Sequence, residues 1–315
     1  MLNFLKNWTL PLAMLAGVTG YFLLACLPIF DSIRPCVGEA VSHVMPVLIF
    51  AQLLLTFCKV EPRELVPVRW HGWLLLVQLC FGVLVSVVVT ALPADSHLKA
   101  LGEGTLVCFI CPTATAAAVI TAKLGGSAST LSTYTLFSNL LAAVFVPLVF
   151  PIVEPHAQLS FFNAFLMILG KVFPLLLSPF LVALLLRWLV KPLHRFLALH
   201  SGMAFYIWAI ALTLVMGQTT RSMVQSNVSL GYELSIALGG MFACAVQFFL
   251  GKAIGGAYRD RISAGQALGQ KNTILAIWMA VTYLNPVSSI GPGSYVVWQN
   301  IVNSWQMWKQ RTKKG

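Results

Sequence analysis

A lysine inside an apolar stretch is the first residue of this chain that could do chemistry. Lys271 lies in Gln270-Lys271-Asn272-Thr273, a polar interruption of the apolar segment 261–283. A charge near the centre of a bilayer costs ~3 kcal/mol on insertion scales, so such a residue is expected to face a water-filled cavity or a partner. No Asp or Glu is expected deep within a span to neutralise it, which leaves a ligand as its expected partner. A second interruption, Cys111-Pro112-Thr113-Ala114-Thr115, divides the segment 104–123. Pro112 lacks an amide donor and clashes with the preceding turn. Gly269, with Gly265 one turn earlier, loosens the other segment. Half-helix ends at both places would leave amides and carbonyls available to hold a substrate or an ion.

Other chemistries find little support. An intramembrane hydrolase needs paired carboxylates, a nucleophile or a metal cluster at depth, whereas Glu39 and Glu233 sit only at span edges and there is no H-E-x-x-H. Cys108-Phe109-Ile110-Cys111 matches C-x-x-C, but within a membrane helix rather than a βαβ unit, so neither redox nor metal chemistry is expected. The seven cysteines are scattered mostly through apolar stretches, which argues against a disulfide framework. No cofactor and no metal is expected, and no span carries a channel filter motif.

The elements that must position Lys271 are membrane helices. Hydrophobic residues make up 58% of 315 and charged residues 9%, with a mean hydropathy of +0.85, which places the chain among polytopic membrane proteins. Ten apolar segments reach the ~20 residues a helix needs to cross: 8–30, 39–58, 72–92, 104–123, 127–151, 161–187, 203–219, 233–251, 261–283 and 286–308. Leu23-Leu24-Ala25-Cys26 resembles a lipoprotein cleavage box, but 8–30 reads as a retained first helix. The net charge of +11 sorts by side. Fifteen Lys and Arg (Lys6, Lys59, Arg63, Arg69, Lys123, Arg187, Lys191, Arg195, Lys252, Arg259, Arg261, Lys309, Arg311, Lys313, Lys314) fall on one side. Only Arg34, Lys99 and Arg221 fall on the other, with Lys171 and Lys271 within spans. The positive-inside rule then places both termini in the cytoplasm, of a protein in the cell inner membrane. The basic balance reports orientation and contact with a lipid bilayer, not a nucleic-acid partner.

The chain reads as two copies of a five-helix unit. Val77-Gln78-Leu79-Cys80-Phe81-Gly82 has an echo in Val246-Gln247-Phe248-Phe249-Leu250-Gly251, and Phe137-Ser138-Asn139 in Trp298-Gln299-Asn300. Pro112-Thr113-Ala114-Thr115 corresponds to Gly269-Gln270-Lys271-Asn272, at an offset of about 157 residues. An odd number of spans per copy inserts the two copies with opposite orientation, as in secondary transporters whose broken helices meet at the midplane.

At these residues the chain resembles the bile acid:sodium symporter family. The motifs are Cys111-Pro112-Thr113-Ala114-Thr115-Ala116, Gly269-Gln270-Lys271-Asn272 and Trp298-Gln299-Asn300, and the likeness covers nearly the whole length. It implies an all-α fold of ten transmembrane helices as a 5+5 inverted repeat, with broken helices 4 and 9 crossing in a core beside a panel. The panel would comprise 1–70 and 154–228, and the core 71–153 and 229–315. It also implies substrate contacts at Thr115, Lys271, Asn272, Gln299 and Asn300, with Thr113 added by adjacency and Gln78 and Gln270 as candidates for the polar core. Where the family carries Ser-Asn and Glu at its sodium sites, this chain has Ala117, Ala118 and Ala267, and Lys271 replaces a Gln; Leu136 replaces a Thr on span five. Alanine methyls cannot coordinate Na⁺.

The expected function is secondary active transport of an organic anion, bile-acid-like or a small carboxylate, by alternating access. Sodium is not expected to drive it: Lys271 would stand in for the bound ion and is the candidate proton-coupling group. The alternatives are a non-transporting sensor or binding protein on a transporter fold, and a sodium-coupled symporter using other ligands. Uptake against export and the oligomeric state stay open. Lys171 is expected either to line the cavity or to snorkel. His43 is expected to be a buried helix histidine and Gly251-x-x-x-Gly255 a close-packing motif. Trp8, Trp70, Trp73, Trp305 and Trp308 read as interfacial anchors.

Overall fold

The computed structural model describes residues 2–93, 96, 98–155, 159–226 and 228–312, and no β-strand occurs among them. The side chains of Lys6, Trp8 and Arg311, and residues Lys313 and Lys314, lie outside the described set. Lipid offers the backbone no hydrogen-bond partners, so an apolar chain satisfies its amides within helices. Among the described residues, six helices are long and apolar enough to cross a membrane: α2 (Arg34–Lys59), α3 (Arg69–Ala91), α6 (Ala128–Val153), α7 (Phe161–Leu189), α9 (Met203–Gln225) and α10 (Leu230–Ala257). With them run α1 (Leu2–Cys26), the short α8 (Lys191–Leu199) and α13 (Ile290–Thr312). The chain is a helical, membrane-embedded protein.

Two expected spans are each divided. The segment 104–123 becomes α4 (Leu98–Ile110) and α5 (Ala117–Lys123), and 261–283 becomes α11 (Arg261–Gly269) and α12 (Thr273–Tyr283). The first break falls at Pro112, whose ring cannot continue a helix. At the second, the Gly269 position is closed in by the Phe248 ring, which a Cβ there would strike. Polar caps start several helices: Ser127, Ser229, Asp260 and Asn272 accept the amides of Thr130, Tyr232, Ser263 and Leu275 at the heads of α6, α10, α11 and α12. Such caps contribute ~1 kcal/mol each.

The chain divides into two compact units. One comprises Met1–Lys59 and Ser178–Asn227, the other Val60–Leu177 and Val228–Gly315, so the division passes through α7. In the first unit α1 packs closely on α9 at Gly17, where a Cβ would press on the Thr213 carbonyl and on Met216. Phe57 and Phe180 meet edge to face at 5.4 Å. In the second unit α10 lies against α11 through Gly251 and Gly255. A Cβ on either would come within 2.6 Å of the Ala264 or 2.5 Å of the Asp260 carbonyl, which is close helix packing.

Three residues differ from their sequence reading. Trp70 is no interfacial anchor: it is 2% exposed, on the inner side of the first turn of α3, packed with Leu74, Tyr134 and Leu268. Trp73, Trp305 and Trp308 are exposed. His43 is exposed rather than buried, its Nδ1 lying 2.9 Å from the Glu39 carbonyl one turn back on α2. Glu103, which the expected segment 104–123 leaves outside a span, is 0% exposed within α4, where it accepts the Asn285 amide. Lys171 is exposed on α7.

Candidate functional site

The two breaks meet. Thr113 and Lys271 form an isolated antiparallel bridge, flanked by Ala114 N–H donating to the Gln270 carbonyl and Asn272 N–H donating to the Pro112 carbonyl, both at 2.9 Å. The bridge gives each unwound stretch the backbone partners that its own helix no longer supplies. Side chains fix the register from outside. Ser138 Oγ accepts the Thr113 amide at 3.2 Å, and Gln299 Oε1 accepts the Lys271 amide at 3.0 Å.

The carbonyls at the end of α4 are all accounted for. Helix geometry orphans the last four. The Val107 oxygen accepts the Cys111 amide, and the Cys108 oxygen accepts Gln247 Nε2 at 3.1 Å. The Phe109 oxygen accepts Lys271 Nζ at 3.2 Å, and the Ile110 oxygen accepts Gln78 Nε2 at 2.9 Å. Lys271 is 1% exposed, and its ammonium points at the negative end of a half-helix, so the partner found is the Phe109 carbonyl rather than the ligand or water-filled cavity expected from the sequence. On the other half-helix, α11, Thr113 Oγ1 donates to the Ala267 oxygen at 2.7 Å and Tyr295 OH to the Gly269 oxygen at 2.7 Å. Cys111 completes the knot, its Sγ donating to the Asn272 oxygen at 3.0 Å.

Of the residues expected at the site, the crossing brings together Thr113, Lys271, Gln270, Asn272, Gln299 and Gln78. Thr115 is buried just beyond it, ahead of α5. Asn272 spends its Oδ1 capping α12, and Gln270 is buried with Oε1 unpartnered. Asn300 is not drawn in: its Nδ2 donates back to Val296 on its own helix. Ala117 and Ala267 sit in one apolar cluster with Leu74, Leu131, Tyr134 and Leu268, and Ala118 packs against it. The side chains at these three positions offer a cation methyls in place of oxygens, and the Ala267 carbonyl and Tyr134 hydroxyl nearby are engaged by Thr113 and Gln78. Leu136 is only partly buried, while its neighbours Thr133, Thr135, Ser138 and Asn139 face inward.

Sequence reasoning missed the two tyrosines. Tyr134 and Tyr295 are both fully buried, and Tyr134 OH donates to Gln78 Oε1 while Gln247 Nε2 donates to Tyr295 OH, each at 3.2 Å. Their positions in the two copies differ by the same offset as Ser138 and Gln299, so the repeat itself was the signal that could have found them. Asn139 was also missed; both its amide atoms are buried without a partner. Among the described residues no group of three His, Cys, Asp or Glu is placed to hold a metal.

No family model matches the chain. No curated protein matches it in sequence either.

Proposed function

We propose that the protein is a secondary active transporter of an organic anion, a member of the bile acid:sodium symporter family built as a 5+5 inverted repeat of ten spans. The observation that carries this reading is the reciprocity of the crossing. Thr113 caps Ala267 while Lys271 caps Phe109; Ala114 pairs with Gln270 while Asn272 pairs with Pro112. Every one of these relations maps onto its partner by a shift of 158 residues. Within each half, a tyrosine–glutamine pair (Tyr134–Gln78, Tyr295–Gln247) and a side-chain acceptor for the bridge amide (Ser138, Gln299) recur. Interrupted, repeat-related helices that meet in this way are how secondary transporters build a midplane site.

Lys271 takes the place of a bound cation. A single ammonium joins the two half-helices where the family uses sodium, and the alanine cluster supports a mechanism without that ion. The positive charge at the crossing suits an anionic substrate. In this reading the protein lies in the cell inner membrane with both termini in the cytoplasm, as the distribution of Lys and Arg supports.

Transport into proteoliposomes tests it. Labelled bile acids and small carboxylates are offered with and without Na⁺ and a pH gradient, and uptake of at least one without Na⁺ is expected. Saturable binding with no flux for any anion would favour a sensor on a transporter fold and overturn transport.

A further inference from the structure

A second charged site lies away from the crossing. A cavity of about 350 Å³ is lined by Lys252 of α10, Arg261 and Ile262 of α11, Leu124, and Trp305, Gln306, Lys309 and Gln310 of α13. Three cations therefore share one opening. Among the described residues no carboxylate lies within ion-pair distance of any of them. Gathering like charges without a counter-ion is unfavourable, so the arrangement favours an anion there.

The cavity is built, not incidental. The stem of Lys252 lies along Gly265, where a Cβ would sit 2.6 Å from Lys252 Cγ. That contact aims its ammonium over the Trp305 ring at 5.7 Å, and Lys309 approaches the same ring at 5.1 Å. One indole thus holds two ammoniums in place. Gln306 Nε2 is buried with no partner, a donor left over for a ligand.

The surroundings say what kind of anion. Phe249, one turn before Lys252 on α10, and Ile301, one turn before Trp305 on α13, are both exposed, as is Trp308. A polar, basic opening bordered by apolar helix faces and by tryptophans matches the layering of a membrane interface. We propose that this cavity binds the phosphate headgroup of an anionic phospholipid, with the acyl chains lying along Phe249 and Ile301. Basic pockets between membrane helices hold such headgroups at the cytoplasmic surface, which is the surface this end faces in the orientation proposed above. The inference needs a membrane protein but not transport.

The test uses the purified full-length protein in detergent and reads lipid retention by native mass spectrometry and thermal stabilisation. Phosphatidylglycerol is expected to bind and stabilise, and phosphatidylcholine with the same chains is not. Lys252→Gln, Arg261→Gln and Lys309→Gln together are expected to weaken phosphatidylglycerol binding about a hundredfold. A control variant, Lys59→Gln with Lys191→Gln and Arg195→Gln, is expected to bind as the wild type does. Equal binding of phosphatidylcholine would overturn the proposal, as would an equal loss in the control variant. Glycerol phosphate, with the anion but no chains, is expected to compete only at far higher concentration. Competition at equal concentration would assign the cavity to a soluble phosphate compound and overturn the lipid.

Discussion

Thr113 and Lys271 face each other across the crossing, and each caps the half-helix that the other interrupts. Thr113 Oγ1 donates to the Ala267 oxygen of α11, and Lys271 Nζ donates to the Phe109 oxygen of α4. A hydroxyl at one position and an ammonium at the other do the same work, but only the ammonium carries charge. That asymmetry separates the roles of the two residues.

Lys271→Ala is expected to abolish transport. The substitution orphans the Phe109 carbonyl, which costs ~1–3 kcal/mol, and removes the charge proposed to stand for the cation. Lys271→Met keeps most of the length without the charge, so it should recover stability in part but not transport. Lys271→Arg is expected to be poorly tolerated, because a broad planar guanidinium does not fit a site built for a compact cation. Full flux in Lys271→Ala would leave the residue with no part in transport.

Thr113→Val removes one hydroxyl with little change of shape and leaves the Ala267 carbonyl without its donor. It is expected to destabilise the purified protein by ~1–3 kcal/mol. Combined with Lys271→Ala, the loss should fall short of the sum by more than ~0.5 kcal/mol, since both caps serve one crossing. Thermal or denaturant midpoints of the two single variants and the double variant measure this. Strict additivity would mean that the two caps act independently.

Replacing Na⁺ with choline is expected to leave binding and flux unchanged. Ala117, Ala118 and Ala267 present methyls where the family pattern has side-chain oxygens, and the Ala267 carbonyl and the Tyr134 hydroxyl beside them are already hydrogen-bonded. Lys271→Gln with Ala267→Glu, Ala117→Ser and Ala118→Asn restores the family pattern, and its transport is expected only with Na⁺ present. A steep sodium dependence of the wild type, with a Hill slope near ~2 for two bound ions, would contradict this.

Topology can be read with a thiol reagent that does not cross membranes. In a background with the exposed Cys26, Cys36 and Cys80 changed to alanine, Gly315→Cys is expected to escape labelling in intact cells and to react after lysis. Labelling from outside would reverse the orientation argued from Lys and Arg.

The breaks at Pro112 and Gly269 were legible because proline and glycine act locally, and Lys271 was legible because a charge stands out in a mostly apolar segment. The echo of the two breaks also pointed to their meeting, although its register was off by one: the structure pairs Thr113, not Ala114, with Lys271. What could not be read was which donor each orphaned carbonyl takes. That depends on the rotation of α3, α10 and α13, set by packing far along the chain. Tyr134 and Tyr295 passed as apolar bulk because a hydroxyl's partner has no sequence signature. Trp70 was misread because a tryptophan near a span end suits either an interface or the first buried turn. Glu103 escaped because the expected span begins at 104, whereas α4 begins at Leu98 and carries Glu103 more than a turn into the helix.

The pairing of Pro112 with Asn272 has a consequence for how the protein is made. A chain emerges from the ribosome at ~5–20 residues per second, so the stretch after α4 is synthesised on the order of ten seconds or more before its partners exist. For that interval the Pro112 and Phe109 carbonyls have neither the Asn272 amide nor the Lys271 ammonium to meet. Lipid supplies no substitute. The first half of the chain is therefore expected to keep this stretch in contact with water or the insertion machinery until the second half arrives to close it.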